Sequence, residues 1–251
     1  VRAVGLEWYK LRRKRVGLMV ILFLLVEIGW AFAATSMSIS RRPDQAGWEP
    51  LIAMVSSMNG LFLPILTAIC VSRICDMEHK GSTWKLLLTL SVRRGTLYAA
   101  KYLTAVLVML AVCLLQATAM TAFGMVHDFE PAVSFVLLGR FVLGTMLTTM
   151  ILIALQQWAS MAVKNQAFAL ALGMVGGFLG LTGDLLPVQV SRFLIWSYYT
   201  GLSPITQSYT DESLHFIVRE AAPMLPVMAA LIAVGAVIYA AGSVHVSRQD
   251  V

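Results

Sequence analysis

The sequence predicts an all-α integral membrane protein that crosses the bilayer six times. Two observations carry this. Apolar residues make up 59% of the 251 residues and charged residues only 13%, with a mean hydropathy of +0.78, against roughly 45–50% apolar and 25% charged in soluble domains. The apolar residues also gather into six runs, each able to form a helix of about 20 residues that crosses a hydrocarbon core of about 30 Å. Cys70, Cys75 and Cys113 form no CxxC pair. They signal neither a disulfide framework nor a zinc site, and read as packed or lipid-facing thiols.

The first element is short. In "VRAVGLEWYKLRRKR", residues 1–15, Val4, Trp8 and Leu11 share one helical face, while Glu7, Lys10 and Lys14 share the other. This predicts an amphipathic helix lying among the headgroups and leading into the first span. Simple anchoring and binding of a partner subunit are both open for it.

The spans follow at Val16 to Ser36, Leu51 to Ile74, Thr96 to Val126, Ser134 to Trp158, Gln166 to Leu186 and Pro223 to Ser243. Ala31-Phe32-Ala33 resembles a signal-peptide cleavage site, but the apolar run before it exceeds the usual core of about 7–15 residues, so it is read as a retained span. With the N-terminus inside, 14 of the 19 Lys and Arg residues fall on the inner side and 5 on the outer. The positive-inside rule then places both termini in the cytoplasm. The net charge of +6 thus reports orientation against an anionic leaflet, and no nucleic-acid partner is implied.

Inside the spans two features stand out. Glu27 is the carboxylate within an apolar run, where an ionisable group is costly and faces a cavity or a partner. It is a candidate for the translocation path, or for a protonated hydrogen bond to a neighbouring span. In the fifth run, Gly173 with Gly177 and Gly176 with Gly180 make two overlapping GxxxG pairs that favour close helix packing, within one subunit or across a dimer.

Between the second and third spans, "DMEHKGSTWKLLLTL" is charged and amphipathic. Ser82 or Thr83 suits an N-cap, with Asp76 and Glu78 upstream, and Trp84, Leu87 and Leu88 form an apolar stripe fit for a groove. The outer segment 187–222, with Trp196, Tyr198, Tyr199 and Tyr209, has the composition of an aromatic belt. The outer segments carry eight acids against five basic residues, a weak preference for cationic partners.

Other chemistry is not signalled. His79, His127, His215 and His245 lie at or beyond span ends, and no HExxH or GxSxG occurs. No phosphate-binding loop is present either, so no ATP site is expected in this chain.

The run from Asp76 through Gly81, Thr83, Trp84 and Lys85 to Leu87 and Leu88, followed by Arg93, Arg94 and Lys101, resembles the cytoplasmic segment after the second span of ABC-2-type transporter permeases. Ser91 stands where that family has a proline. "EWYKLRRKR" resembles the family's lead-in helix. In size and span number the chain is most similar to permeases of lantibiotic immunity and bacitracin-type resistance.

The resemblance implies a single six-span domain over residues 1–251 in a bacterial cytoplasmic membrane. It also implies a separate ATPase subunit that binds ATP and Mg, a coupling helix over residues 76–90, and a second permease chain. Short half-buried outer helices in 187–222 would close the exit, and Lys164 with Asn165 would give a second contact to the ATPase. The substrate class implied is an amphiphilic antimicrobial peptide or antibiotic. An ATP-independent secondary transporter or channel is the alternative, which Glu27 alone supports.

Overall fold

The computed structural model describes residues 2–13, 15–43, 46–80, 94–131, 134–163, 165–210 and 213–248. Helix α1 covers Arg2–Arg13, α2 Val16–Arg41, α3 Trp48–Lys80, α4 Arg94–Val126, α5 Phe135–Ala162, α6 Gln166–Leu181 and the last long helix, α9, Leu225–Arg248. Between α6 and α9 lie two single-turn helices, α7 (Val188–Ser191) and α8 (Tyr198–Gly201), and one antiparallel hairpin. In the hairpin, β1 (Ile205–Thr210) pairs with β2 (Ser213–Val218), with Ile205 opposite Val218 and Thr210 opposite Ser213.

Five helices are long and apolar enough to cross a bilayer: 16–41, 48–75, 94–126, 135–162 and 222–248. The chain is therefore a helical, multi-pass membrane protein. The fifth predicted span differs. It ends at Leu181 instead of Leu186 and has 16 residues, roughly 24 Å at 1.5 Å per residue. The cause is local. The Thr182 hydroxyl bonds back to the Phe178 carbonyl, the chain tightens into a 3-10 turn over Gly183–Leu185, and Pro187 pulls Leu186 into an extended conformation.

Helix α3 is the centre of the bundle and α6 its closest neighbour. Pro64 lies inside α3 and has no N–H, so the Gly60 carbonyl lacks its usual donor four residues on. That carbonyl faces Gly180 so closely that a Cβ on Gly180 would meet it at 2.2 Å. Along the same line, a Cβ on Gly177 would meet the Leu61 carbonyl at 2.6 Å, and one on Gly173 would meet the Ala68 methyl at 2.2 Å. Gly176 faces the Trp196 ring. The overlapping glycine pairs thus form a seam within one chain, extended by a hydrogen bond from Ser72 to the Gln166 side-chain oxygen.

Two apolar clusters stack along the bundle. One holds Leu24 of α2, Leu63 of α3 and Val112 of α4. The other holds Ala31, Val55 and Met120 of the same three helices. Between them the three helices place Glu27, Asn59 and Gln116, all fully buried, so a single polar layer separates the clusters.

The outer segment departs from the expectation of helices alone. Residues 183–201 do form short turns and helices, but 205–218 form the hairpin. Its strands carry the β-branched Ile205, Thr206, Ile217 and Val218 with the aromatic Phe216, about a two-residue connection, which favours a ribbon.

Candidate functional site

The chemistry-bearing residues fall at three depths. At the α1 end of the bundle, the inner end in the expected orientation, Glu7 and Leu11, one helical turn apart, face inward, while Trp8 is 52% exposed. Glu7, expected on the polar face of α1, is thus turned into the bundle, while Leu11 of the expected apolar face is buried and Trp8 of that face is left for the surroundings. The reason is tertiary. Glu7 Oε2 accepts from Lys101 Nζ at 3.1 Å, and Glu7 Oε1 accepts from Lys10 Nζ at 2.7 Å. Lys101 is 1% exposed and also donates to the Ile74 carbonyl at 2.9 Å.

A buried ammonium is tolerated only with such partners. Here they tie together three elements: α1, the last turns of α3 and the first turns of α4. Ile74 and Lys101 flank the segment expected to couple the chain to an ATPase. Within that segment, Asp76 and Glu78 lie on the backbone of α3, which remains helical to Lys80. Gly81, Thr83, Trp84, Lys85, Leu87 and Leu88 lie outside the described residues, as does Lys164. Asn165 caps α6, its side-chain oxygen accepting from the Ala167 N–H at 3.0 Å.

At mid-depth, Gln116 Nε2 donates to Asn59 Oδ1 at 2.7 Å. Gln116 stands close enough to Glu27 for the two to interact, yet neither Glu27 oxygen forms a hydrogen bond of good geometry. Asn59 Nδ2 and Gln116 Oε1 are likewise unpartnered. In this conformation Glu27 has no exposed surface. Sequence reasoning singled out Glu27 but missed Asn59 and Gln116. Their amides inside apolar runs are the signal that finds them, since polar side chains in spans seek partners on other helices.

The opposite end, the outer one in that orientation, is held by hydrogen bonds among the described residues. Tyr199 is buried with its hydroxyl 3.0 Å from Thr149 of α5, and Ser203 accepts from Ser56 of α3 at 2.9 Å. Arg219, just after the hairpin, donates to the carbonyls of Thr200 and Gly201 at 3.1 and 2.6 Å and to the Thr206 hydroxyl at 3.0 Å. Its own carbonyl accepts from Arg140 of α5 at 2.7 Å. Partial burial lowers the pKa of the Arg219 guanidinium, while Asp184 nearby favours its charge. Asp184 in turn accepts from Thr200 at 2.7 Å. A cleft of about 620 Å³ opens here, lined by Asp184, Arg192, Tyr198, Arg219 and Val227 among others.

The three depths divide the work chemically. The inner node is charged and fully paired, the middle layer is polar and under-satisfied, and the outer cap is held by hydrogen bonds from Arg140 and Arg219, with Asp184 accepting from Thr200. A family model described as "ABC-2 family transporter protein" matches residues 3–180. No curated protein matches the chain significantly.

Proposed function

The chain belongs to the ABC-2 family of transporter proteins, a membrane transport component that is not itself catalytic, and from that premise we propose that it is the permease subunit of an ATP-driven exporter. In this reading an ABC ATPase subunit carries ATP and Mg, and docks on the cytoplasmic segment 76–90. Trp84, Leu87 and Leu88 fill its groove, with Asp76, Glu78, Lys80 and Lys85 at the rim. Helix α6 and the turns after it complete a sixth crossing, which leaves both termini in the cytoplasm of a bacterial cell.

The observation that supports this reading most is the inner node. Lys101 links the roots of α3 and α4 and clamps both to α1 through Glu7. A pull on the segment between them therefore moves three helices together. A loop that merely joined two spans would need no buried ion pair at its base.

The substrate in this reading is an amphiphilic antimicrobial peptide or antibiotic, expelled for immunity or resistance. A second permease chain, identical or similar, completes the pathway. The acidic balance of the outer segments suits a cationic cargo.

One experiment tests the coupling. Changing Trp84, Leu87 and Leu88 together to Ser is expected to abolish co-purification of a nucleotide-binding subunit and to uncouple ATP hydrolysis from transport, with the spans still inserted. Transport that persists in this variant removes segment 76–90 as the coupling element. The second reading, a secondary transporter, rests on the buried carboxyl of Glu27. It prevails if the chain purifies alone and moves substrate in liposomes without ATP.

A further inference from the structure

The polar layer between the two apolar clusters has a chemistry of its own. Glu27 lies 11 residues from the start of α2 at Val16, roughly 17 Å along the axis, and so sits near mid-bilayer. It has no exposed surface. Its neighbour is the neutral Gln116 side chain, and among the described residues no cation acts on it.

The other titratable groups facing it are also uncharged in their ordinary state: Cys113 on α4, one turn before Gln116, and Tyr199 from the outer cap. On α3 the facing polar side chain is Asn59, an amide bonded to Gln116. Of the charged residues of α1, Glu7 and Lys10 are paired with each other at the inner end. A carboxylate held away from water without a counter-charge is among the costliest groups a protein can bury, and it is relieved by taking up a proton.

The direction of the amide pair says where that proton points. Gln116 places one of its two amide N–H groups on Asn59 Oδ1, while Gln116 Oε1 and both Glu27 oxygens are left as acceptors without a donor in the same layer. A protonated carboxyl has one O–H to donate, whereas a carboxylate only accepts. A carboxylate would take at most the second Gln116 N–H and leave Gln116 Oε1 with no donor, whereas one proton on Glu27 serves both orphaned acceptors.

We propose that Glu27, Gln116 and Asn59 form a proton-binding site at mid-membrane, in which the Glu27 carboxyl holds one proton and donates it to Gln116 Oε1. Binding forms one O–H bond, with the proton taken from the aqueous phase, and the site's charge goes from −1 to 0. The chain then runs in one direction, from the Glu27 O–H to the Gln116 oxygen and from the Gln116 N–H to the Asn59 oxygen. A motion that separates α2 from α3 and α4 and admits water releases the proton to that water. The inference needs the spans to lie in a bilayer but does not depend on the substrate or on an ATPase.

Infrared spectroscopy of the purified full chain in lipid tests it directly. At about pH 7, well above the ordinary glutamate value of about 4.3, wild type is expected to show the carbonyl stretch of a protonated carboxyl. That band should vanish in Glu27→Gln and shift upward in Gln116→Leu, which removes the acceptor. A wild-type spectrum without the band, or a band unchanged by both substitutions, overturns the proposal. Should Glu27→Gln fail to insert, the Gln116→Leu shift decides. Neither result bears on whether an ATPase binds, so this inference and the exporter reading fail separately.

Discussion

Glu7 and Glu27 sit on consecutive helices, and both are withdrawn from solvent. Glu7 has Lys10 on one oxygen and Lys101 on the other. Glu27 has neutral amides for neighbours and no partner on either oxygen. The same side chain thus serves two physical ends. Paired with cations at the inner rim it is a joint, rigid because breaking it strands a charge. Alone at mid-depth it is a point where the bundle is poorly satisfied and responsive to water.

The comparison is broken most forcefully at Lys101. Lys101→Met leaves Glu7 with only the partly exposed Lys10 and removes the tie to the Ile74 carbonyl, so thermal unfolding in lipid discs should show a loss of about 3–5 kcal/mol. Replacing both partners, with Glu7→Leu added, is expected to recover most of that loss, because an apolar pair of similar volume removes the stranded charge. A double variant as unstable as the single one would mean that Lys101 acts through Ile74 alone.

The middle layer should respond less. Asn59→Leu removes the acceptor of the Gln116 N–H and leaves a buried donor unsatisfied, a loss of about 1–3 kcal/mol on the same assay. At the outer cap, Thr149→Val deletes the partner of the Tyr199 hydroxyl and should cost about 1 kcal/mol. Glu27→Gln is expected to change stability least, by less than about 1 kcal/mol, since a neutral amide replaces a neutral carboxyl. A large destabilisation there would place Glu27 in the same class as Glu7.

The span pattern is legible from sequence because hydrocarbon imposes a length and a composition that nothing else in the chain mimics. Glu27 is legible for the same reason, as a charge where the pattern forbids one. What is not legible is what tertiary contact decides. Glu7 reads as the polar face of an amphipathic helix because its partner Lys101 is distant in sequence and reads as one more inner cation. The end of α6 is obscured because Leu185 and Leu186 continue the apolar run past Gly183, where the backbone has already turned. The hairpin hides among aromatic residues that also suit a membrane interface. Its β-branched and aromatic residues on either side of the polar Asp211 and Glu212 are the clue that marks it.

The seam between α3 and α6 has a thermodynamic consequence. At Gly60, Gly177 and Gly180 the two helices touch through backbone atoms, so bringing them together freezes no rotamers there, whereas each Leu immobilised elsewhere forfeits about 0.5–1 kcal/mol of side-chain entropy. Along that line the association is nearly free of configurational loss. Its strength should therefore vary little with temperature, and α3 with α6 remains one body while the helices held by longer side chains rearrange around it.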